Sequence, residues 1–207
     1  MRGLVRVGAA VPSLALGNVK ENMKRHLAMM REAKEKHVSI VTFPELSLTG
    51  YTCGDLFFQR RLLDDVTDAL LALKDEMPEG ILAVVGAPLE IEGALYNCAV
   101  VLHKGEIISA VPKTFLPNNG EFYEKRWFQS GDARRDASVA IPKLKTDVCR
   151  QAIFETEDGV CFGIELCEDL WAPLPPSTML SVEGAEIILN LSASNELLSK
   201  REYRQQL

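Results

Sequence analysis

The sequence predicts an α/β fold in which two mixed β-sheets pack face to face between helical layers. Three observations lead there. Segments of helical period alternate with short, nearly uncharged, β-branched runs, as crossover units do. Two strand pairs are joined by tight turns, so the sheets cannot be purely parallel. The chain has 207 residues, 47% hydrophobic and 25% charged, which is enough apolar material for a sizeable core. No repeat, low-complexity tract or Gly/Ser linker divides it, and residues 1–207 read as one domain.

Residues 4–9 open as a strand. A Pro, Ser and Gly connection leads into a helix over 19–37, where Val19, Met23, Leu27, Met30 and Ala33 recur every three or four positions. The run 38–43 is short, uncharged and β-branched and is followed by Pro44, the pattern of a strand covered on both faces. A helix over 57–73 aligns Leu62, Leu63, Val66, Leu70 and Leu73, and Pro78-Glu79-Gly80 stops it before a strand over 81–87. Lys104-Gly105 joins strands 95–103 and 106–111 as a hairpin. Residues 117–136 are irregular, polar and aromatic, too long for a plain connector, and read as a ligand-contacting segment. A second hairpin turns at Glu157-Asp158-Gly159 between 152–155 and 160–166. A short helix starts within 173–176, and 186–191 is another buried strand. Residues 202–207 have helical composition without a cap or stop, so the domain is expected to be incomplete at its C-terminus, with an unpaired sheet edge.

Charge narrows the partners. Asp and Glu number 29 against 23 Lys and Arg, a net charge of −6, which gives no footprint for a phosphate backbone and argues against nucleic acid. The short basic runs, Arg134-Arg135 among them, sit beside carboxylates and read as solvated faces. The N-terminus leads into no apolar signal region, and no stretch reaches the roughly 18 uncharged apolar residues of a membrane span, so no membrane association and a cytoplasmic location are expected. The five cysteines lack the close pairs of zinc or redox sites; reduced thiols and no metal are expected.

Three residues share one character: Glu45, Lys113 and Cys167 each stand at the end of a run that should be a buried strand. Ligands collect at such carboxyl ends, where side chains project into a crevice. Each has an ordinary reading too. Glu45 could be a surface or capping carboxylate, Lys113 a lysine snorkelling from an edge strand, and Cys167 a small buried hydrophobe. Cys167, after Cys161-Phe162-Gly163-Ile164-Glu165-Leu166, also occupies the strand-to-turn position of a nucleophile elbow. The histidines His26, His37 and His103 are poorly placed to serve as its base, two of them falling in the first helix on or near its polar face. A carboxylate base and a lysine that offsets oxyanion charge could do the same work.

Three motifs in order carry a resemblance: Phe43-Pro44-Glu45-Leu46-Ser47-Leu48-Thr49-Gly50-Tyr51, Lys113-Thr114-Phe115-Leu116-Pro117 and Leu166-Cys167-Glu168-Asp169-Leu170-Trp171. Together they resemble the carbon–nitrogen hydrolase (nitrilase) superfamily, which implies an αββα sandwich and a Glu45, Lys113, Cys167 triad. Tyr51-Thr52-Cys53-Gly54-Asp55-Leu56-Phe57 and Asn119-Gly120-Glu121-Phe122-Tyr123-Glu124-Lys125-Arg126-Trp127-Phe128 bring the chain closer to one branch. That branch is the N-terminal glutamine-hydrolysing domain of glutamine-dependent NAD+ synthetases.

The resemblance implies hydrolysis of L-glutamine through a cysteine thioester, with ammonia passed to NAD+ synthesis from nicotinic acid adenine dinucleotide. Glu121 would be the supporting glutamate, and Tyr51, Glu168, Ser194 and Arg201 would contact the substrate. It also implies a homo-oligomer and a partner NAD+ synthetase domain, to which ATP and Mg would belong; no cofactor is expected for residues 1–207. Two alternatives stay open: a stand-alone amidase or nitrilase acting on another small amide, and a catalytically disabled interaction module of the same fold.

Overall fold

The computed structural model describes residues 4–133 and 138–206; Arg134-Arg135 and Leu207 lie outside them. Strands β1 (Val7–Ala9), β2 (Ile40–Thr42), β3 (Leu82–Ile91), β4 (Ala94–His103), β5 (Glu106–Pro112), β6 (Ser138–Ile141) and β7 (Thr146–Cys149) form a seven-stranded sheet in the order β1-β2-β3-β4-β5-β7-β6. Strands β8 (Ile153–Glu155), β9 (Cys161–Leu166) and β10 (Ile187–Leu191) form a three-stranded sheet in the order β10-β9-β8. Helix α1 (Val19–Glu35) connects β1 to β2, α2 (Arg60–Glu76) connects β2 to β3, and α3 (Pro176–Val182) connects β9 to β10. Each joins parallel strands, whereas β3, β4 and β5 run antiparallel through hairpins. A short helix α4 (Lys200–Arg204) follows β10.

Strand alternation builds the layers. Ile40, Val84, Ala99, Val101 and Val111 of the large sheet pack on Phe162, Ile164, Leu166, Leu189 and Leu191 of the small one. Their sequence neighbours Val41, Ala83, Val85, Val100 and Leu102 point the other way, into a core shared with Leu27 and Met30 of α1 and Val66, Leu70 and Leu73 of α2. Helix α3 covers the far side of the small sheet, where Gly163 lets it close in: a Cβ there would lie 2.8 Å from Leu180 Cδ1. The result is the expected αββα sandwich.

Several boundaries differ from the sequence reading. The first helix ends at Glu35, with His37 beyond it in the left-handed region (φ 56°). The second starts at Arg60, because Tyr51–Phe58 forms a kinked 3-10 segment. Strand β3 runs past Pro88 to Ile91 and turns back at Glu92-Gly93, giving a long hairpin where a strand over 81–87 was expected. Val84 and Gly86 direct their carbonyls away from β4, to Phe43 and Leu48; Pro88, on the same alternation, therefore has its nitrogen on the side away from the β4 ladder. The small strands β6 and β7 were not anticipated. Nor was the burial of His26, which is fully enclosed and not on the polar face of α1.

Candidate active site

Lys113 and Cys167 directly follow β5 and β9, and Glu45 comes three residues after the end of β2; the packing of the two sheets brings the three ends together. The Glu45 turn is held by local bonds: Ser47 N–H donates to Pro44 O (3.2 Å) and Gly50 N–H to Leu46 O (2.8 Å), with Leu46 in the left-handed region (φ 52°). Gly86 on β3 lies beneath it. A Cβ at position 86 would sit 2.3 Å from Pro44 O and 2.4 Å from Leu46 N, so only glycine lets the turn descend this far. From α1, His26 Nε2 meets Ser47 Oγ at 2.8 Å while its Nδ1 lies 2.7 Å from Asn22 O, and the ring packs on Phe43 at 4.4 Å. A carbonyl can only accept, so Nδ1 carries the proton and Nε2 accepts from the serine. Burial pushes this imidazole down to about 4, the Asn22 bond offsetting part of the effect.

The charged centre is dry. Lys113 and Glu45 are fully enclosed; Lys113 Nζ donates to Glu45 Oε1 (2.6 Å) and to Glu124 Oε1 (2.7 Å). Glu45 Oε1 also accepts from Asn97 Nδ2 (2.8 Å), and its Oε2 from the Ala193 N–H (3.2 Å). Tyr51 Oη donates to Glu124 Oε1 (2.6 Å). Burial opposes the Lys113 ammonium, but the carboxylates of Glu45 and Glu124 outweigh it and hold the amine above the ordinary lysine value. Glu124 is pushed up by burial and by Glu45, against the pull of Lys113; its Oε2 is buried without a hydrogen bond. Burial, then Glu124, likewise raises the Tyr51 phenol.

Cys167 has φ 42°, a left-handed conformation costly for a side chain with a Cβ, as at a strained elbow. Its thiol is pushed up to about 11 by burial and by Glu45; Lys113, the Ser192 hydroxyl and the Ala193 N–H pull the other way. At neutral pH it is therefore a thiol. Asp169 joins the Cys167 and Lys113 segments: Oδ1 accepts from the Thr114 (3.1 Å) and Phe115 (2.7 Å) N–H groups, and Oδ2 from Leu166 N–H (3.0 Å). Burial pushes this carboxyl up to about 7 despite those bonds.

A cavity of about 210 Å³ opens beside the thiol, lined by Pro117, Phe122, Cys167, Glu168, Trp171, Ser194 and Lys200. It falls below the roughly 300–1,000 Å³ of drug-sized pockets and suits a small molecule. Lys200 Nζ donates to Ser194 Oγ (2.6 Å) and Asn195 Oδ1 (2.5 Å) and faces the Trp171 ring at 5.4 Å. Among the described residues no carboxylate ion-pairs with Lys200 and no cation with Glu168. No group of His, Cys, Asp or Glu side chains among the described residues could hold a metal ion.

The structure places two of the expected site residues apart from the cluster. Glu121 is exposed and bonds to Asn195, whereas Glu124 is buried on Lys113. The two are three residues apart, and Tyr123 leads into a 3-10 turn that swings Glu124 inward, with Phe128 buried behind it. Arg201 is exposed and outside the cavity; Lys200, its neighbour, lines it. Tyr51 is half-buried on Glu124, and Glu168 and Ser194 line the cavity. Asn97 and Asp169 were missed as site residues. Both follow strand alternation or a turn that only the fold orients.

The carbon-nitrogen hydrolase profile matches residues 6–207. The chain belongs to the carbon–nitrogen hydrolase family. Within it, this hydrolase is 36% identical to a glutamine-dependent NAD(+) synthetase of Mycobacterium tuberculosis over 208 residues, 99% of this chain and 30% of that protein. A glutamine-dependent NAD(+) synthetase of Rattus norvegicus is 32% identical over 192 residues, 88% of this chain and 26% of that one. The hydrolase thus spans under a third of the length of these relatives. It superposes on a glutamine-dependent NAD(+) synthetase structure from Cytophaga hutchinsonii with a TM-score of 0.84 and 28% identity, covering 98% of this chain and 33% of that one. An amidase from Nesterenkonia sp. shares the fold, with a TM-score of 0.74 and 17% identity over 95% of this chain and 68% of that one.

Proposed function

We propose that this hydrolase releases ammonia from L-glutamine and that the ammonia feeds NAD+ synthesis in a partner synthetase domain. The observation that carries the substrate is the cavity, whose lining brings together the Cys167 thiol, the Lys200 ammonium and the Glu168 carboxylate, with no ion pair to either charge among the described residues. Those two charges complement the α-carboxylate and α-ammonium of a free amino acid, and the amide at the end of its side chain can then reach the sulfur. The glutamine-dependent NAD(+) synthetases among its relatives support the same substrate.

The chemistry follows from the charges. A thiol with a raised pKa needs a base as it attacks, and Glu45 is the carboxylate whose field acts on it. As Sγ bonds to the amide carbon, the thiol proton passes to Glu45 and the carbonyl electrons move onto oxygen, where the Lys113 ammonium offsets the charge. Collapse breaks the C–N bond; the proton on Glu45 goes to the leaving nitrogen, giving ammonia and a thioester. Water then attacks the thioester, giving its proton to Glu45, which returns it to sulfur as glutamate leaves. Glu124 and Tyr51 hold Lys113 in place.

The test measures ammonia from glutamine, simple amides and nitriles. Glutamine turnover is expected, with covalent capture of Cys167 by diazo-oxo-norleucine; turnover of nitriles without glutamine, or labelling at Cys53 or Cys161 instead, would overturn the reading. Glu45→Gln and Lys113→Ala should each lower kcat at least about a hundredfold while the protein stays folded by circular dichroism.

A further inference from the structure

Trp171 ends the 3-10 turn that Cys167 begins, and it forms part of the cavity wall. Helix α4 lies against it. Tyr203 stacks on the indole, with centroids 5.3 Å apart and planes 25° from parallel, and Lys200 Nζ stands 5.4 Å from the same ring. Lys200 and Tyr203 are three residues apart and share a face of the helix, so one indole receives both. Helix α4 has five residues and none is buried; it begins after Ser199, a residue in the left-handed region (φ 63°). Its own hydrogen bonds cannot hold so short a helix in place. Beyond the contacts of Lys200, the side-chain attachments it makes among the described residues are the Tyr203 stack on Trp171 and the Arg204 to Glu196 pair at 3.8 Å, which is exposed.

We infer that Tyr203 is a positioning residue, clamping α4 onto Trp171 so that the Lys200 ammonium is held over the cavity and selects a substrate bearing a carboxylate. The inference deepens the glutamine reading and rests on it. A long lysine side chain loses considerable rotamer freedom when it binds an anion; a clamp that restricts it beforehand recovers part of that loss as affinity. Tyr203 is not among the residues that line the cavity and acts through Lys200 on binding, so its effect belongs in KM.

The full chain carrying Tyr203→Ala or Tyr203→Phe is compared with wild type in glutamine turnover and in alkylation of Cys167 by iodoacetamide, an uncharged probe with no carboxylate. Removing one aromatic contact should raise KM for glutamine about five- to tenfold, leaving kcat and the iodoacetamide rate within about twofold. Tyr203→Phe keeps the ring and should behave as wild type. An unchanged KM in Tyr203→Ala, a parallel fall in alkylation rate, or a Phe variant as impaired as Ala would each overturn the assignment. Absence of glutamine turnover in wild type would instead sink the underlying substrate reading, and the clamp with it.

Discussion

Glu121 and Glu124 pose the sharpest question at the scale of single residues. Both carboxylates lie in one aromatic segment a turn apart, yet one is in water and the other on a buried ammonium. Glu124→Gln keeps the shape and removes the charge that helps hold the Lys113 proton, and should lower kcat by about ten- to a hundredfold. Glu121→Gln should stay within about twofold, as exposed substitutions do. Steady-state ammonia release on the two variants decides which glutamate supports the site; equal losses would return Glu121 to consideration. The sequence shows the residue types but not the rotation of a 3-10 turn, so spacing alone could not choose between the two. Glu45, Lys113 and Cys167 were easier to see, because a charged or reactive residue directly after an apolar run is visible without knowing what packs above it.

Between elements, α1 is coupled to the Glu45 turn through His26 and Ser47. The imidazole has a folded value of about 4 against 6.5 when exposed, so as pH falls from about 6.5 to 4 the unfolded chain binds a proton that the folded one refuses. Stability should decline over that window by about 3 kcal/mol from this group. Asp169 works in the opposite sense: its folded value of about 7 lies above the ordinary 3.8, so the folded state takes up a proton first and gains stability as pH falls between the two. The wild-type curve mixes both, and the difference between wild type and His26→Gln isolates the histidine. Urea melts from pH 8 to 4 should show wild type losing about 3 kcal/mol relative to the variant; a pH-independent gap would exclude a neutral buried His26. Helical periods and β-branched runs disclosed most elements in advance, and the hairpin at Lys104-Gly105 as well. The β3–β4 hairpin was hidden by Pro88, which normally ends a strand and here projects its nitrogen away from the ladder. His26 was hidden because one polar residue on a helix does not reveal whether a partner waits inside.

For the whole molecule, the interface between the two sheets is what brings distant segments together: Glu45 and Lys113 follow strands of the large sheet and Cys167 a strand of the small one. Phe162 lies in that interface, fully buried and stacked on Phe154 at 5.2 Å. Phe162→Ala should cost about 3–5 kcal/mol in a denaturant melt. Because β9 leads directly into Cys167, the proposed nucleophile, labelling of Cys167 by diazo-oxo-norleucine should slow by about tenfold or more under conditions where the variant is still folded. Loss of stability with unchanged labelling would mean that the elbow is held by Asp169 and its three N–H donors independently of the sheet packing. The sandwich architecture was legible from the mixture of crossovers and hairpins, whereas the relative alignment of the sheets depends on interdigitated side chains that no local pattern encodes.

The missing side chain at position 86 sets a boundary on how this scaffold can be altered. The cavity wall is made of side chains and can be changed one residue at a time, but the Glu45 turn stands on bare backbone from β3. A single methyl group introduced there would collide with the backbone of Pro44 and Leu46 and push the Glu45 turn outward without touching the wall; under the proposed mechanism, binding should outlast turnover in such a variant.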